Sequence, residues 1–540
     1  MATIMLKGGT VVDGSGAPGF PADVLLADGS IRRISSDEAL PAADAVLDCT
    51  GKVVAPGFVD MHSHIDFLMP SEQHEQLVAS FLEQGVTTVV AGNCGLSPGP
   101  LDQVTRQRLE SHASVILDHE LDWSWGSLGE YLDLVDASRP AVNIAQLVGH
   151  AALRFAGSKV SRGNMGASDL RRCLSLAEEA LDEGACGLSF GLGYDPGMYS
   201  SLEELEAFCG VAAKHDKPVT SHLKAYSRVS PCYPLSYWRA HNLRALREML
   251  DVTRRAGARL QASHFIFVGR KTWSTAREAL GMIDDARRSQ DVMIDAFPYT
   301  CGNTTINATL PFWFLALGDA GYNNRLALLR LRAELAIGYR LVGFEWGDFQ
   351  VMEIGVAEWS HLNGQTLAEL GHAWSTTPFD AFLRVAKRSR GGALMLLHSY
   401  SGDREGNGPI EDVLTHEACL YETDAIVRSD GWPNPAAVGT FPKILADQVR
   451  RRKRLSLEDV VHRMTEASCQ RFGLRDRGIL REGAAADVVV FDPETVADSP
   501  PRAGVAAARP VGIEHVFVNG THVVADGAYV GARAGQVLRG

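Results

Sequence analysis

The 540-residue sequence has no apolar run approaching the roughly 18 residues of a membrane span, no Cys-x-x-Cys pair and no basic excess. The first absence argues against a membrane protein. The second, with the scattered cysteines, fits reduced thiols of a cytoplasmic protein. The third, with 52 Lys+Arg against 65 Asp+Glu and a net charge of −13, argues against nucleic acid as the main partner. The N-terminus also lacks a basic segment followed by an apolar core, so no secretory signal is expected and a cytoplasmic location is. The nine cysteines are scattered and odd in number, which reads as reduced, mostly buried thiols with room for a special one. What is present is a globular composition, 46% hydrophobic and 22% charged, with no fixed-period repeat.

Three regions separate by pattern. Residues 1–56 carry short alternating runs with Gly turns, and residues 480–540 read the same way. The expectation is one small β-sandwich formed from both chain termini. Between them, residues 57–479 alternate short apolar runs with amphipathic helical patterns such as 168–183 and 202–215. Eight candidate strands cover 57–64, 86–94, 142–149, 185–192, 218–223, 259–265, 292–298 and 425–431. Eight β-then-α units give the fold class as α/β, a (β/α)8 TIM barrel. The interval before the eighth strand is far longer than one helix requires, so an insertion is expected at roughly 300–420, placed over the barrel mouth.

A barrel builds its active site at the C-terminal ends of its strands. Here those ends are rich in metal-ligating side chains. Strand one ends in His62-Ser63-His64, and residues two apart on a strand face the same side. Strand two ends in Asn93-Cys94-Gly95, strand five in His222, strand six in His264 and strand eight in Ser429-Asp430-Gly431. Each alone reads as a core histidine or a buried thiol. Together, four imidazoles, one thiol and one carboxylate converging on one mouth predict a site for a divalent transition metal, Zn2+ foremost. Bound zinc supplies hydroxide at neutral pH, and Asp430 is the expected general base.

The stretch Pro56-Gly-Phe-Val-Asp-Met-His62-Ser-His64 resembles the opening motif of the amidohydrolase superfamily. More narrowly, the chain resembles the D-aminoacylases, or N-acyl-D-amino-acid deacylases. Segments 85–95, 148–154, 184–189, 428–431, 439–442 and 483–492 carry that likeness across nearly the whole chain. The resemblance implies a tighter zinc site at Cys94, His222 and His264 and a weaker one at His62, His64 and Asp430. It implies hydrolysis of a linear amide in a small-molecule substrate. Strand four, 187–194, contains no Lys, whereas many cyclic-amide members bridge two metals with a carboxylated Lys there. That counts against the alternative of a hydantoinase- or dihydroorotase-type cyclic-amide enzyme. A non-catalytic scaffold is the alternative of another class, and six filled ligand positions argue against it.

Two departures bear on the substrate. The resembling deacylases carry a His-His-Lys run at strand six and an Arg before Gly-Thr-Phe-Pro. Here the Lys position is Ile266 and the Arg position is Ala436, so the expected partners of a free carboxylate are apolar. Lys224, two residues past His222, is a candidate replacement cation. Tyr194, Tyr299 and His150 stand at other strand ends as candidate substrate contacts, and His398 lies in the insertion. The run Arg450–Arg454 reads as a solvated helix end, not a nucleic-acid signal. The sequence leaves the oligomeric state open.

Overall fold

The computed structural model describes residues 3–38, 40–72, 74–113, 116–117, 121–159, 162–234, 239–429, 431–501 and 509–540. Its centre is a parallel barrel whose strands are, in chain order, β1 (Phe58–Asp60), β2 (Val86–Ala91), β3 (Asn143–Gly149), β4 (Gly187–Gly191), β5 (Pro218–His222), β6 (Arg259–Ala262), β7 (Val292–Ala296) and β8 (Cys419–Tyr421). Neighbours in sequence are neighbours in the sheet, and a parallel bridge between Ser63 and Ala425 brings β1 and β8 side by side. β2, β3 and β4 are buried at every residue, as expected for strands covered on both faces.

The helices between strands bury one stripe. In Ala167–Asp182 the buried residues are Cys173, Ala177, Ala180 and Leu181, at helical spacing. Leu202–Lys214 starts where the Ser201 side chain accepts the Glu204 N–H, which satisfies one free donor of the first turn.

The eighth strand is the correction to the sequence reading. The expected strand at 425–431 is replaced by Cys419–Tyr421, whose Cys419 pairs with Ile294 and Leu420 with Asp295. The chain beyond Tyr421 runs alongside the residues that follow β1, with the Asp424 N–H on the His62 carbonyl and a parallel bridge between Ser63 and Ala425, so the residues that follow Tyr421 hold the strand-end positions.

Both termini enter one nine-stranded sheet. The antiparallel pair of Val53–Pro56 with Val488–Phe491 joins the N-terminal strands to the C-terminal ones. Leu6, Val24, Val54, Val488, Val490 and Phe517 form a core of its own. The last short strand, Val537–Leu538, leaves that sheet and pairs with β3.

The stretch between β7 and β8 carries a three-stranded antiparallel sheet. Its central strand is Leu394–His398, flanked by Cys301–Thr305 and Phe349–Glu353. Phe314, Leu331, Phe349, Phe382 and Met395 pack beneath it in a cluster separate from the barrel core. No described helix is long and apolar enough to cross a membrane.

Candidate metal centre

The strand-end ligands converge. The Cys94 thiol lies at the middle, with Sγ 3.3 Å from His62 Nε2, 3.5 Å from His264 Nε2 and 3.7 Å from His222 Nδ1. Asp424 Oδ1 stands 3.4 Å from His64 Nε2 and 3.5 Å from His62 Nε2. Two donor groups result: His62, His64, Cys94 and Asp424, and Cys94, His222 and His264, each with its donor atoms within 4.8 Å of one another. Cys94 belongs to both.

The backbone is bent to achieve this. Cys94 has φ +55° and His264 φ +31°, a left-handed region that non-glycine residues rarely enter. Such strain persists where surrounding contacts hold it, and it clusters at functional sites. For Cys94 those contacts are visible. Tyr194 donates its hydroxyl to the Cys94 carbonyl at 2.7 Å, and the Ser189 hydroxyl accepts the Gly95 N–H at 3.0 Å. A Cβ on Gly193 would come within 2.8 Å of His222 Nε2, so only glycine leaves that imidazole in place. Beneath His222 and His264 lies the buried Tyr226 ring, 4.9 and 4.8 Å from the two imidazoles. Its hydroxyl accepts the Leu223 N–H and donates to the Ser263 carbonyl, which ties β5 to β6.

Electrostatics reinforce the donor set. Burial would push the Cys94 thiol up, but the charges of His62 and His264 and hydrogen bonds from His222 and His264 hold it well below the usual thiol range. Burial disfavours a charged His64, yet the Asp424 carboxylate and the Cys94 sulfur raise it to about 9. Burial lowers His222, and the neighbouring His264 charge adds to that. For Asp424 the imidazoles of His264, His64 and His62 outweigh burial and hold the carboxyl below its ordinary value. A low-lying thiolate, a carboxylate and four imidazoles are a fitting set for Zn2+ or a similar divalent ion. Metal binding requires deprotonated ligands, and this cluster balances proton charge where a cation would sit.

The expected residues fare differently. His62, His64, Cys94, His222 and His264 meet. Asp430 lies outside the described residues, and the carboxylate brought to the imidazoles is Asp424, three residues past the end of β8. Tyr194 stands beside the cluster, its ring 5.0 Å from that of His222. Lys224 Nζ lies 5.5 Å over the Tyr233 ring and has no carboxylate partner among the described residues.

Two candidates point elsewhere. His150 is fully buried as the first residue of the helix His150–Gly157, packed on Phe190 and Phe208. Its Nε2 meets Glu204 at 2.8 Å, and that carboxylate also accepts from Arg154, so the ring serves an internal ion network. Tyr299 donates its hydroxyl to Asp498 at 2.9 Å, within the cluster under the inserted sheet. His398 faces Gln350 and Arg404 in the inserted sheet. Ile266 packs against both the barrel core and the inserted cluster, and Ala436 is buried in the latter.

Sequence reasoning missed Asp424, Tyr226, Asp295 and Glu422. Asp295 accepts the His264 N–H and a hydrogen from Gln261, so it holds β6 from β7. Glu422 is buried, and burial pushes its carboxyl well up against the pull of His62. The two-residue alternation Glu422, Asp424 beyond a short apolar strand was the available signal.

A profile of the amidohydrolase family matches residues 45–263 and 426–524. The chain is 32% identical to an N-acyl-D-glutamate deacylase of Alcaligenes xylosoxydans xylosoxydans, across 99% of this chain and 96% of that one. Among solved structures, it is similar to a D-aminoacylase described with a binuclear metal centre, at TM-score 0.80 and 29% identity, covering 100% of both chains. It is also similar to the N-acyl-D-glutamate deacylase of Bordetella bronchiseptica complexed with zinc and a phosphonate inhibitor, at TM-score 0.79 and 30% identity, again covering 100% of both.

Proposed function

The chain belongs to the amidohydrolase family, in its D-aminoacylase branch, and from that premise we propose that it hydrolyses the C–N bond of a linear N-acyl amide at the Cys94-centred cluster. The observation that carries this is one thiol within 3.7 Å of three imidazoles, with Asp424 against His62 and His64. Cys94, His222 and His264 would hold one zinc ion, and His62, His64 and Asp424, with Cys94, would hold a second. Bound there, zinc supplies Lewis acidity that polarises the amide carbonyl and eases deprotonation of water.

The rest is done by the chain. Asp424 Oδ1 takes the proton of the attacking water and returns it to the leaving nitrogen. Its ring partners hold it ionised, as a base must be. Tyr194 fixes the Cys94 turn through its carbonyl, and Tyr226 holds the His222 and His264 rings, so neither reorganises during turnover.

The substrate has no free carboxylate beside the inserted cluster. Ile266 and Ala436 make that side apolar, and the nearby guanidiniums are committed: Arg270 to Asp348 and Arg428 to Glu353. A carboxylate desolvated there without a partner is costly. The test is free-amine release from N-acetyl-D-amino acids paired with their carboxamides, using the zinc-loaded protein. Carboxamides are expected to turn over faster. Faster acids would overturn the neutral-substrate reading and assign the carboxylate to Lys224; no amine from either, nor from decarboxylated analogues, would overturn the hydrolase reading.

A further inference from the structure

We infer that Glu422 is a positioning residue for the outer metal site, holding His62 by the ring edge that faces away from the metal. The inference rests on the metal-site reading above. His62 presents Nε2 to Cys94 and Asp424, which leaves Nδ1 on the opposite side of the ring. That nitrogen is buried and has no hydrogen-bond partner among the described residues. Ligating imidazoles almost always donate their second N–H to a carboxylate, a carbonyl or water, which fixes tautomer and orientation.

Three carboxylates lie near. Asp60 is occupied: it accepts the Thr423 N–H and hydroxyl and the backbone N–H of His62. Asp295 is occupied too, with Oδ1 on the His264 N–H at 2.6 Å and Oδ2 on Gln261 at 2.7 Å. Its 3.7 Å separation from His62 Nδ1 is beyond a hydrogen bond. Glu422 alone of the three has both oxygens buried and without a hydrogen-bond partner among the described residues. One ring nitrogen of His62 and one oxygen each of Asp295 and Glu422 lie within 4.8 Å of one another, and Nδ1 is the nitrogen that faces Asp295.

A buried polar group left without a partner is destabilising, so donor and acceptor gain by closing the remaining gap. A small turn of the His62 ring or of the flexible Glu422 side chain closes it. The placement follows from the strand. Glu422 and Asp424 are two residues apart beyond β8, so one face of the chain delivers the ligand carboxylate and, a layer deeper, the carboxylate behind the ligand imidazole.

The experiment is equilibrium binding of Co2+ to metal-stripped protein, for wild type, Glu422→Leu and Glu422→Gln, with thermal melts to confirm folding. In Glu422→Leu the first equivalent, at Cys94, His222 and His264, is expected to bind within about threefold of wild type. The second is expected to weaken about 10- to 100-fold, the usual effect of losing such a partner. Glu422→Gln keeps an acceptor oxygen and is expected to restore the second equivalent to within about tenfold of wild type.

Unchanged second-equivalent binding in Glu422→Leu would overturn the inference. If the Leu variant does not fold, a Gln variant weakened 100-fold or more would do so. Three equivalents in wild type falling to two in either variant would also overturn it, making Glu422 a ligand of a separate ion. Because the readout is metal binding, a failure of the amide-hydrolase reading leaves this result unaffected and is recognised separately in the amine-release assay.

Discussion

Asp424→Asn is expected to lower kcat by about 10²- to 10⁴-fold, the range for losing a general base. The change keeps the side-chain shape and removes the charge that stands 3.4 Å from His64 and 3.5 Å from His62. The outer donor group loses its carboxylate, while Cys94, His222 and His264 contain no Asp424 and retain an ion. The variant is therefore expected to hold at least one zinc per chain and still fail at proton transfer. Asp430→Asn is expected to stay within tenfold of wild type. Paired kcat values and zinc analysis on the two variants check this. A collapse in Asp430→Asn with Asp424→Asn active would return the base to Asp430.

Cys94→Ala is expected to be more severe for metal content. Its sulfur is the donor common to both groups. Without it, His222 and His264 form a two-ligand remnant, and the outer group loses its link to them. Buried imidazoles that balanced a thiolate lose that partner, so the polar cluster is also destabilised. Lewis-acid assistance is worth several kcal/mol, which converts to a loss of about 10³-fold or more in kcat. Zinc per chain after gel filtration and kcat on the same preparation measure both effects. Retention of two zinc ions would show that the thiol is not a ligand.

How far the site was legible follows from its chemistry. Seven barrel strands stand where apolar runs predicted them, because parallel strands buried on both faces leave a near-continuous signal. The His62/His64 pair, Cys94, His222 and His264 were legible because strand alternation and strand ends fix where such side chains point. The eighth strand was not. Cys419–Tyr421 is three residues long, and the apolar stretch from Ala425 to Val427 carried a stronger local pattern. Its true register is set by pairing with β7, a tertiary interaction, and with it went the choice between Asp424 and Asp430.

Direction of a side chain was hidden for the same reason. His150 and Tyr299 sit next to strand ends, yet Glu204 and Asp498 draw their polar tips elsewhere. Those partners lie 54 and 199 residues away in the chain, and no local pattern announces them. Tyr226 and Glu422 act from behind the ligands, a role that sequence periodicity does not distinguish from core packing.

The most direct measurement is amide hydrolysis by wild-type protein before chelation, after chelation and after zinc is restored, with zinc content determined at each stage. Activity is expected to fall with zinc to background and to return with the first or second equivalent. Undiminished hydrolysis by protein holding only a trace of metal would contradict that dependence on zinc.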